Sequence, residues 1–468
     1  MSHSTHTGRT VSRRDFLKTA SVAGAAAMTG GLLSAHAADA AKTKPNVLLV
    51  ITDQQHLDTM AAAGCKHAVT PGMDRLVKRG VTFTQSHSTN PVCSPARSSI
   101  FTGRATCETG VYRNNLPIVE AVPNLGQWLS ERAGYETFYV GKWHMPRSFT
   151  YEIPGFNVLY AGINGQGNLM DGIVAQTGES FLHTRRGAKP FFLVASFMQP
   201  HDICEWLRLN RDARTGLPYP ELEDELPPLP DNFDYDKREP RILKHGRPRL
   251  DPYEKEGPWD ESRWRYYRWS YYRHIEMVDA EIDRLLGALE DSGHAGNTLV
   301  IFTSDHGEGL GHHRMVRKNF LYDEAVRVPF VMALPGRLPE GKIDREHLVS
   351  GCDIAPTVCD YAGVDPPPDM RGRSLRGVAE GKNAQGNPFV VSEVRRDKGR
   401  MIRTGRFKYV AFRGDDTDQL FDMTADPGET KNLAAEARYA DEVKAHRKLL
   451  MEWESRLKPI AKLKPWRF

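Results

Sequence analysis

Three apolar runs, far apart in the chain, each end in a cluster of carboxylate, amide or imidazole side chains. Asn46-Val47-Leu48-Leu49-Val50-Ile51-Thr52 leads into Asp53-Gln54-Gln55-His56. Phe191 to Phe197 leads into Gln199-Pro200-His201-Asp202. Thr298 to Thr303 leads into Ser304-Asp305-His306-Gly307-Glu308. A run without polar alternation suits a strand covered on both faces, as in the parallel sheets of α/β proteins. In such sheets ligands bind just beyond the carboxyl ends of the central strands. The three polar clusters are therefore expected to converge on one site. Helices are expected at Pro71 to Arg79, Leu125 to Ala133, Trp264 to Leu286 and Asp353 to Ala362, the last closed by Gly363, with a further strand at Thr137 to Val140. Strands alternating with helices predict the α/β class: a large doubly wound mixed sheet flanked by helices.

Two stretches break this rhythm. Residues 202–263 are rich in Pro, Asp and Glu with little periodicity, which suggests an insertion bordering a pocket. The helix that follows carries Trp264, Tyr266, Tyr267, Trp269, Tyr271 and Tyr272, on more faces than a core alone needs, so one or two of these rings are expected at a ligand. Pro366-Pro367-Pro368 marks a boundary. Beyond it come expected strands at Phe389 to Ser392, Arg400 to Arg403, Phe407 to Phe412 and Gln419 to Phe421, then a helix from Leu433 to about Leu457. The reading is a catalytic domain at 45–368 and a small C-terminal α+β subdomain, antiparallel sheet plus helix, at 369–468.

The N-terminus reads as an address. Ser12-Arg13-Arg14-Asp15-Phe16-Leu17-Lys18 resembles a twin-arginine export signal, followed by a weakly apolar run from Ala20 to Leu33 and a small-residue cleavage pattern at Ala35-His36-Ala37. Residues 1–38 are thus expected to engage the Tat translocase and be removed, leaving a nearly neutral periplasmic or secreted protein. The run is too short and Gly/Ala-rich for a stable membrane span. The formal charge of +4 implies no basic face for nucleic acid. The six cysteines, Cys65, Cys93, Cys107, Cys204, Cys352 and Cys359, form neither a disulfide framework nor a zinc spacing.

One cysteine stands apart. In Asn90-Pro91-Val92-Cys93-Ser94-Pro95-Ala96-Arg97, Pro91 keeps the approach extended, Ser94 is a candidate helix cap and Pro95 suits a first helical position. Cys93 would then sit at a helix N-terminus, where backbone N–H groups and the dipole favour an anion. Arg97 lies about one turn on, within reach of the same spot.

This stretch, continued by Ser98-Ser99-Ile100-Phe101-Thr102-Gly103-Arg104, resembles the C-x-P-x-R signature of the type I sulfatases of the alkaline-phosphatase-like superfamily. The resemblance implies that a formylglycine-generating or sulfatase-maturating enzyme oxidises Cys93 to Cα-formylglycine, whose hydrate is the nucleophile. It also implies a metal site of Asp53, Gln54, Asp305 and His306. Oxygen ligands favour calcium, with magnesium or manganese as alternatives. The pattern departs from the commonest one, which has two aspartates where this chain has Asp53-Gln54 and often an asparagine where it has His306. Gly141-Lys142-Trp143-His144 matches the family's G-K-x-H. Lys142 would hold the attacking oxygen and His144 would take the proton from the second hydroxyl. His201 and Lys318 would bind the sulfate and serve the leaving oxygen, with Arg97 completing the cradle and Asn114 touching the sulfate. His313 is as much a loop residue as a substrate contact. Leu420-Phe421-Asp422 and Asp426-Pro427-Gly428-Glu429 resemble the family's C-terminal pattern.

The expected function is hydrolysis of a sulfate ester, with a sulfated saccharide as substrate. The alternatives are a choline sulfate, an aryl sulfate or a phosphate or phosphonate monoester, and, in another class, a sulfated-glycan binding protein that kept the fold without catalysis.

Overall fold

In the continuous apolar runs, neighbouring side chains enter two different cores. A computed structural model describes residues 44–145, 152–161, 167–210, 217–244, 259–382, 384–464 and 466. The export segment 1–38 lies outside the described residues. The large sheet contains β1 (Asn46–Asp53), β2 (Val81–Phe83), β4 (Glu136–Gly141), β5 (Asn157–Ala161), β6 (Phe191–Pro200), β7 (Thr298–Ser304), β8 (Phe330–Ala333) and β9 (Lys342–Asp344), in the order β5-β4-β6-β1-β7-β8-β2-β9. Strands β5, β4, β6, β1 and β7 are mutually parallel, and β8 runs against β7 and β2. β3 (Ser86–His87) pairs with β10 (Val349–Ser350) in a separate ribbon.

Leu48, Val50, Leu193, Ala195, Val300 and Phe302 pack on one face, in the core shared with helix α3 (Gly167–Thr184) and helix α4 (Glu261–Asp291). Their neighbours Val47, Leu49, Ile51, Val194, Leu299 and Ile301 pack on the other, with α2 (Cys93–Thr102) and α5 (Ile354–Ala362). Burial on both sides removes the alternation that a half-exposed strand would show. Each fully buried aliphatic side chain contributes roughly 1.5–3 kcal/mol of transfer free energy. Helix α1 (Pro71–Arg79) spans the expected residues, with Pro at its first position.

The C-terminal sheet is antiparallel, in the order β11 (Val390–Val394), β12 (Gly399–Arg403), β13 (Phe407–Phe412), β14 (Gln419–Asp422). Helix α6 (Ala440–Ser455) covers one face through Val443 and Leu450 on Ile402, Tyr409 and Leu420. The opposite face, through Val394, Met401, Val410 and Phe421, packs on Phe320, Leu321 and Tyr322, the residues that follow Lys318. The C-terminal sheet thus backs the loop that carries a candidate site residue. The described residues from Pro45 onward form one compact unit.

Several boundaries differ from the expectation. Helix α6 starts at Ala440, because 433–439 form turns, with Leu433 N bonded to Leu420 O. Helix α4 starts at Glu261, capped by the Asp260 carboxylate accepting from Arg263 N. The insertion contains a short helix, Ile203–Leu209, and a 3-10 segment, Pro220–Glu225. Ser94 is not the cap of α2. The helix begins one residue earlier, at Cys93 after Val92, and its cap comes from another loop: Asn114 Oδ1 accepts from Ser94 N at 3.0 Å. Ser94 Oγ instead donates to the His144 carbonyl at 2.6 Å. None of the six cysteines is in a disulfide.

Candidate active site

Strand register brings the three polar clusters together. Asp53 lies opposite Pro200, Thr52 opposite Ser304 and Gly141 opposite Ser196. Asp53, Lys142, His201 and Asp305 consequently emerge on one rim of the sheet. Gly141 is required there. Its φ is +101°, and a Cβ would stand 1.9 Å from the Ser196 carbonyl oxygen. Two residues that are not glycine take left-handed backbone at the same rim, Gln54 (φ 73°) and His144 (φ 68°). Such conformations cost of order 1–3 kcal/mol and persist where the surroundings hold them. Gln54 is held at both ends: its N–H donates to Asp305 Oδ1 at 3.0 Å and its carbonyl accepts from Tyr271 OH at 2.6 Å.

Arg97 is fully buried and makes a four-way brace. Nε donates to Asp305 Oδ2 at 2.8 Å, Nη2 to Asp53 Oδ2 at 3.1 Å, and Nη1 to the Lys142 carbonyl at 2.9 Å and Ser196 Oγ at 2.7 Å. It serves the carboxylates rather than touching the Cys93 sulfur. Lys142 Nζ lies 2.6 Å from Asp53 Oδ2. Cys93 Sγ lies 3.7 Å from Asp53 Oδ1, 3.2 Å from His306 Nε2 and 3.4 Å from Lys318 Nζ. His144 and His201 lie near enough to the same sulfur to interact with it electrostatically. Ten of the expected site residues therefore converge on Cys93 or its immediate partners.

His313 does not join them. It is buried beside Glu324 (3.8 Å), stacks on Tyr322 with ring centroids 3.9 Å apart, and its N–H donates to the Asn232 carbonyl at 2.7 Å. It anchors the loop before Lys318 to the insertion. The aromatic rings of α4 also act as braces. Tyr271 holds Gln54, and Trp264, Tyr267 and Tyr272 are core.

The electrostatics follow from burial and cations. Burial and the Asp53 carboxylate push the Cys93 thiol up, yet Lys142, Lys318 and His306 bring it well below the usual thiol value. Burial opposes ionisation of Asp53, but Lys142, His201, Arg97 and Lys318 hold it well below the carboxylate range. Burial and the neighbouring Asp53 charge push Asp305 up, as expected for two carboxylates sharing one site. Burial, with Lys318 and Lys142, holds His201 down at about 4, and burial with Lys142 lowers His144. Both imidazoles are neutral at pH 7.

Four of these side chains stand close enough to share one metal ion. Ligand atoms of Asp53, Cys93, Asp305 and His306 all lie within 4.8 Å of one another. His306 Nδ1 faces the Gly307 carbonyl at 2.9 Å, which turns Nε2 toward the cluster, where it could ligate a metal ion on losing its proton. Two buried carboxylates, one driven up by the other, form a charge arrangement that a cation would relieve. Gln54 Oε1 lies next to this group and accepts from Lys318 Nζ.

Glu308 is the residue that sequence reasoning passed over, although it ends the third polar cluster. It is buried. Oε2 accepts from Gln54 Nε2, and Oε1 accepts from Tyr267 OH and Arg317 N. By holding the amide nitrogen of Gln54 it turns Oε1 toward Lys318 and the site.

The comparisons with known proteins agree with this architecture. A family model described as sulfatase matches residues 45–364, one described as the C-terminal part of N-sulphoglucosamine sulphohydrolase matches 311–456, and a twin-arginine translocation signal matches 10–30. A Δ4,5-hexuronate-2-O-sulfatase of Bacteroides thetaiotaomicron is 32% identical over 451 residues, covering 92% of each chain. An N-acetylglucosamine-6-O-sulfatase of the same organism is 27% identical, covering 89% of this chain and 87% of that one. A solved 2-O GAG sulfatase superimposes with a TM-score of 0.80 at 30% identity, covering 90% of this chain and 95% of that chain.

Proposed function

From the premise that this chain belongs to the sulfatase family, we propose that it hydrolyses a sulfate ester on a sulfated saccharide, using formylglycine derived from Cys93 and calcium held by Asp53, Gln54, Asp305 and His306. It is an exported enzyme, carrying a twin-arginine signal. Among the described residues no helix is long and apolar enough to cross a membrane. The single observation that carries the reading is the convergence of Lys142, His144, His201, His306 and Lys318 on the partners of one buried cysteine at a helix start. The Cys93 sulfur stands in for the oxygens of the modified residue. The saccharide assignment draws on the two relatives named for hexuronate and N-acetylglucosamine sulfates.

Formylglycine hydrate supplies a hydroxyl nucleophile, and the cation supplies charge for the sulfate oxygens. The remaining work falls to side chains. Arg97 and Lys142 keep Asp53 ionised and fixed in orientation. Lys318, pushed above its usual value by the anionic groups around it against the cost of burial, is a lasting cation beside residue 93, placed to bind a sulfate oxygen. His144, lowered and neutral, has a vacant proton site and is suited to accept a proton from residue 93. His201, half-buried, is neutral and able to donate a hydrogen bond to the leaving oxygen.

The test has two parts. Mass analysis of the peptide carrying residue 93, from protein made in a host that matures sulfatases, should find formylglycine. Desulfation is then measured on defined sulfated saccharides, an aryl sulfate, choline sulfate and a phosphonate monoester. Cys93→Ala should abolish turnover while circular dichroism stays unchanged. Appreciable residual activity in that variant, or faster turnover of the phosphonate than of any sulfate, would contradict the reading.

A further inference from the structure

A cavity of about 390 Å3, within the usual size range of small-molecule sites, lies between the catalytic sheet's loops and the C-terminal sheet. Three segments form its wall: residues 106–119, the turn between β11 and β12, and the chain from Ile460 to Lys464. Five cations face it, Arg395, Arg396, Lys398, Lys462 and Lys464, against one carboxylate, Asp397. The guanidinium of Arg396 lies 4.6 Å above the ring of Tyr112, a cation on an aromatic plate. Neither Arg396 nor Lys398 forms an ion pair with a carboxylate among the described residues, whereas the nearby Arg400, Arg406 and Arg413 do.

The turn that presents these cations is strained. Arg395 (φ 53°) and Arg396 (φ 66°) are consecutive left-handed residues that are not glycine. Strain of this kind collects where a side chain must be aimed. Short stretches of chain link the cavity to the catalytic cluster. Asn114, two residues after Tyr112, caps the helix that starts at Cys93. Val394, just before Arg395, packs with Phe320, two residues after Lys318.

We propose that this cavity is an anion-binding subsite for a saccharide, taking a sulfate or carboxylate group on the sugar next to the one whose ester is cleaved. Arg396 and Lys398 bind the anion, and the exposed part of the Tyr112 ring packs against the sugar. The proposal rests on the sulfated-saccharide reading above, and its test separates the two. Arg396→Glu and Lys398→Glu are compared with wild type on a small aryl sulfate and on size-defined sulfated heparin oligosaccharides. The expected result is a KM for the oligosaccharide raised tenfold or more, with kcat and the aryl sulfate kinetics unchanged. Losses equal on both substrates, or an oligosaccharide KM that does not move, overturn the subsite.

Binding is measured separately by titration calorimetry with the same heparin oligosaccharides at low and high salt. Wild type should bind, more weakly as salt screens the charges, and Arg396→Glu should bind at least tenfold more weakly. If wild type turns over no sulfate ester, the function is refuted while the calorimetry still decides the cavity. A Kd equal in wild type and Arg396→Glu then refutes the subsite too.

Discussion

Arg97→Met removes a buried guanidinium that joins two carboxylates, a backbone carbonyl and a hydroxyl at 2.7–3.1 Å. Taking one partner from a buried ion pair costs about 3–5 kcal/mol. The Lys142 carbonyl and Ser196 hydroxyl each lose a hydrogen bond worth about 1 kcal/mol. Asp305, already pushed up by burial and by Asp53, takes up a proton and limits the loss. A net destabilisation of about 4 kcal/mol is expected in the absence of metal, a large share of the ~5–15 kcal/mol that holds a typical protein folded. Calcium should reverse part of it, with a definite sign. The Arg97 guanidinium and calcium compete for the same two carboxylates, so the variant, where calcium need only displace the proton on Asp305, should bind calcium more tightly. At a hundred times Kd a ligand stabilises by about 2.7 kcal/mol, and each further tenfold in affinity adds about 1.4 kcal/mol. The assay is urea denaturation followed by tryptophan fluorescence, in chelator and in calcium. A loss below about 1 kcal/mol in chelator, or the same calcium gain in wild type and variant, would refute the reasoning. Arg97→Lys should lose much of the same stability, because an ammonium cannot reproduce a planar fork with four partners, but, keeping its charge, it should not tighten calcium binding.

Glu308→Gln should lower kcat/KM on aryl sulfate and saccharide alike by about tenfold, roughly 1.4 kcal/mol of transition-state binding, because it loosens Gln54; unequal losses would assign Glu308 to substrate choice. Stability should fall on acidification from pH 6.5. His87, driven down to about 3 chiefly by burial, and His201, held at about 4, stay neutral in the fold, while the unfolded chain takes up those protons first. His87→Gln should therefore flatten the slope of stability between pH 6.5 and 4 by about 1.4 kcal/mol per pH unit, and an unchanged slope in urea melts across that range would contradict this. Replacing the polar residues of 202–263 should lower kcat/KM for the natural saccharide by well over roughly tenfold while sparing a small aryl sulfate; equal losses on both would show that the insertion shapes the catalytic centre itself.

Some of this protein is written locally. The apolar runs of β1, β6 and β7, the Pro-led helix α1 and the Cys93 signature are each defined by neighbours in the chain, and strand pairing then carries their polar ends to one rim. The short strands β2, β8 and β9 escaped notice because three or four residues hold too little pattern to separate a strand from a turn, and only pairing along the sheet edge defines them.

The chain by itself determined which chemical groups are present and which of them sit at strand ends, because apolar periodicity and strand-end position are local properties. It could not decide which acceptor caps α2. Ser94 is a good cap by type, but Asn114, 20 residues on, reaches the orphan N–H first and leaves Ser94 to the His144 carbonyl. Nor could it decide that His313 leaves the site to stack on Tyr322, or that Glu308 orients the Gln54 amide. Those roles depend on contacts between residues 9 to 254 positions apart, and the energy of a hydrogen bond depends on angstrom distances that only the packed chain sets.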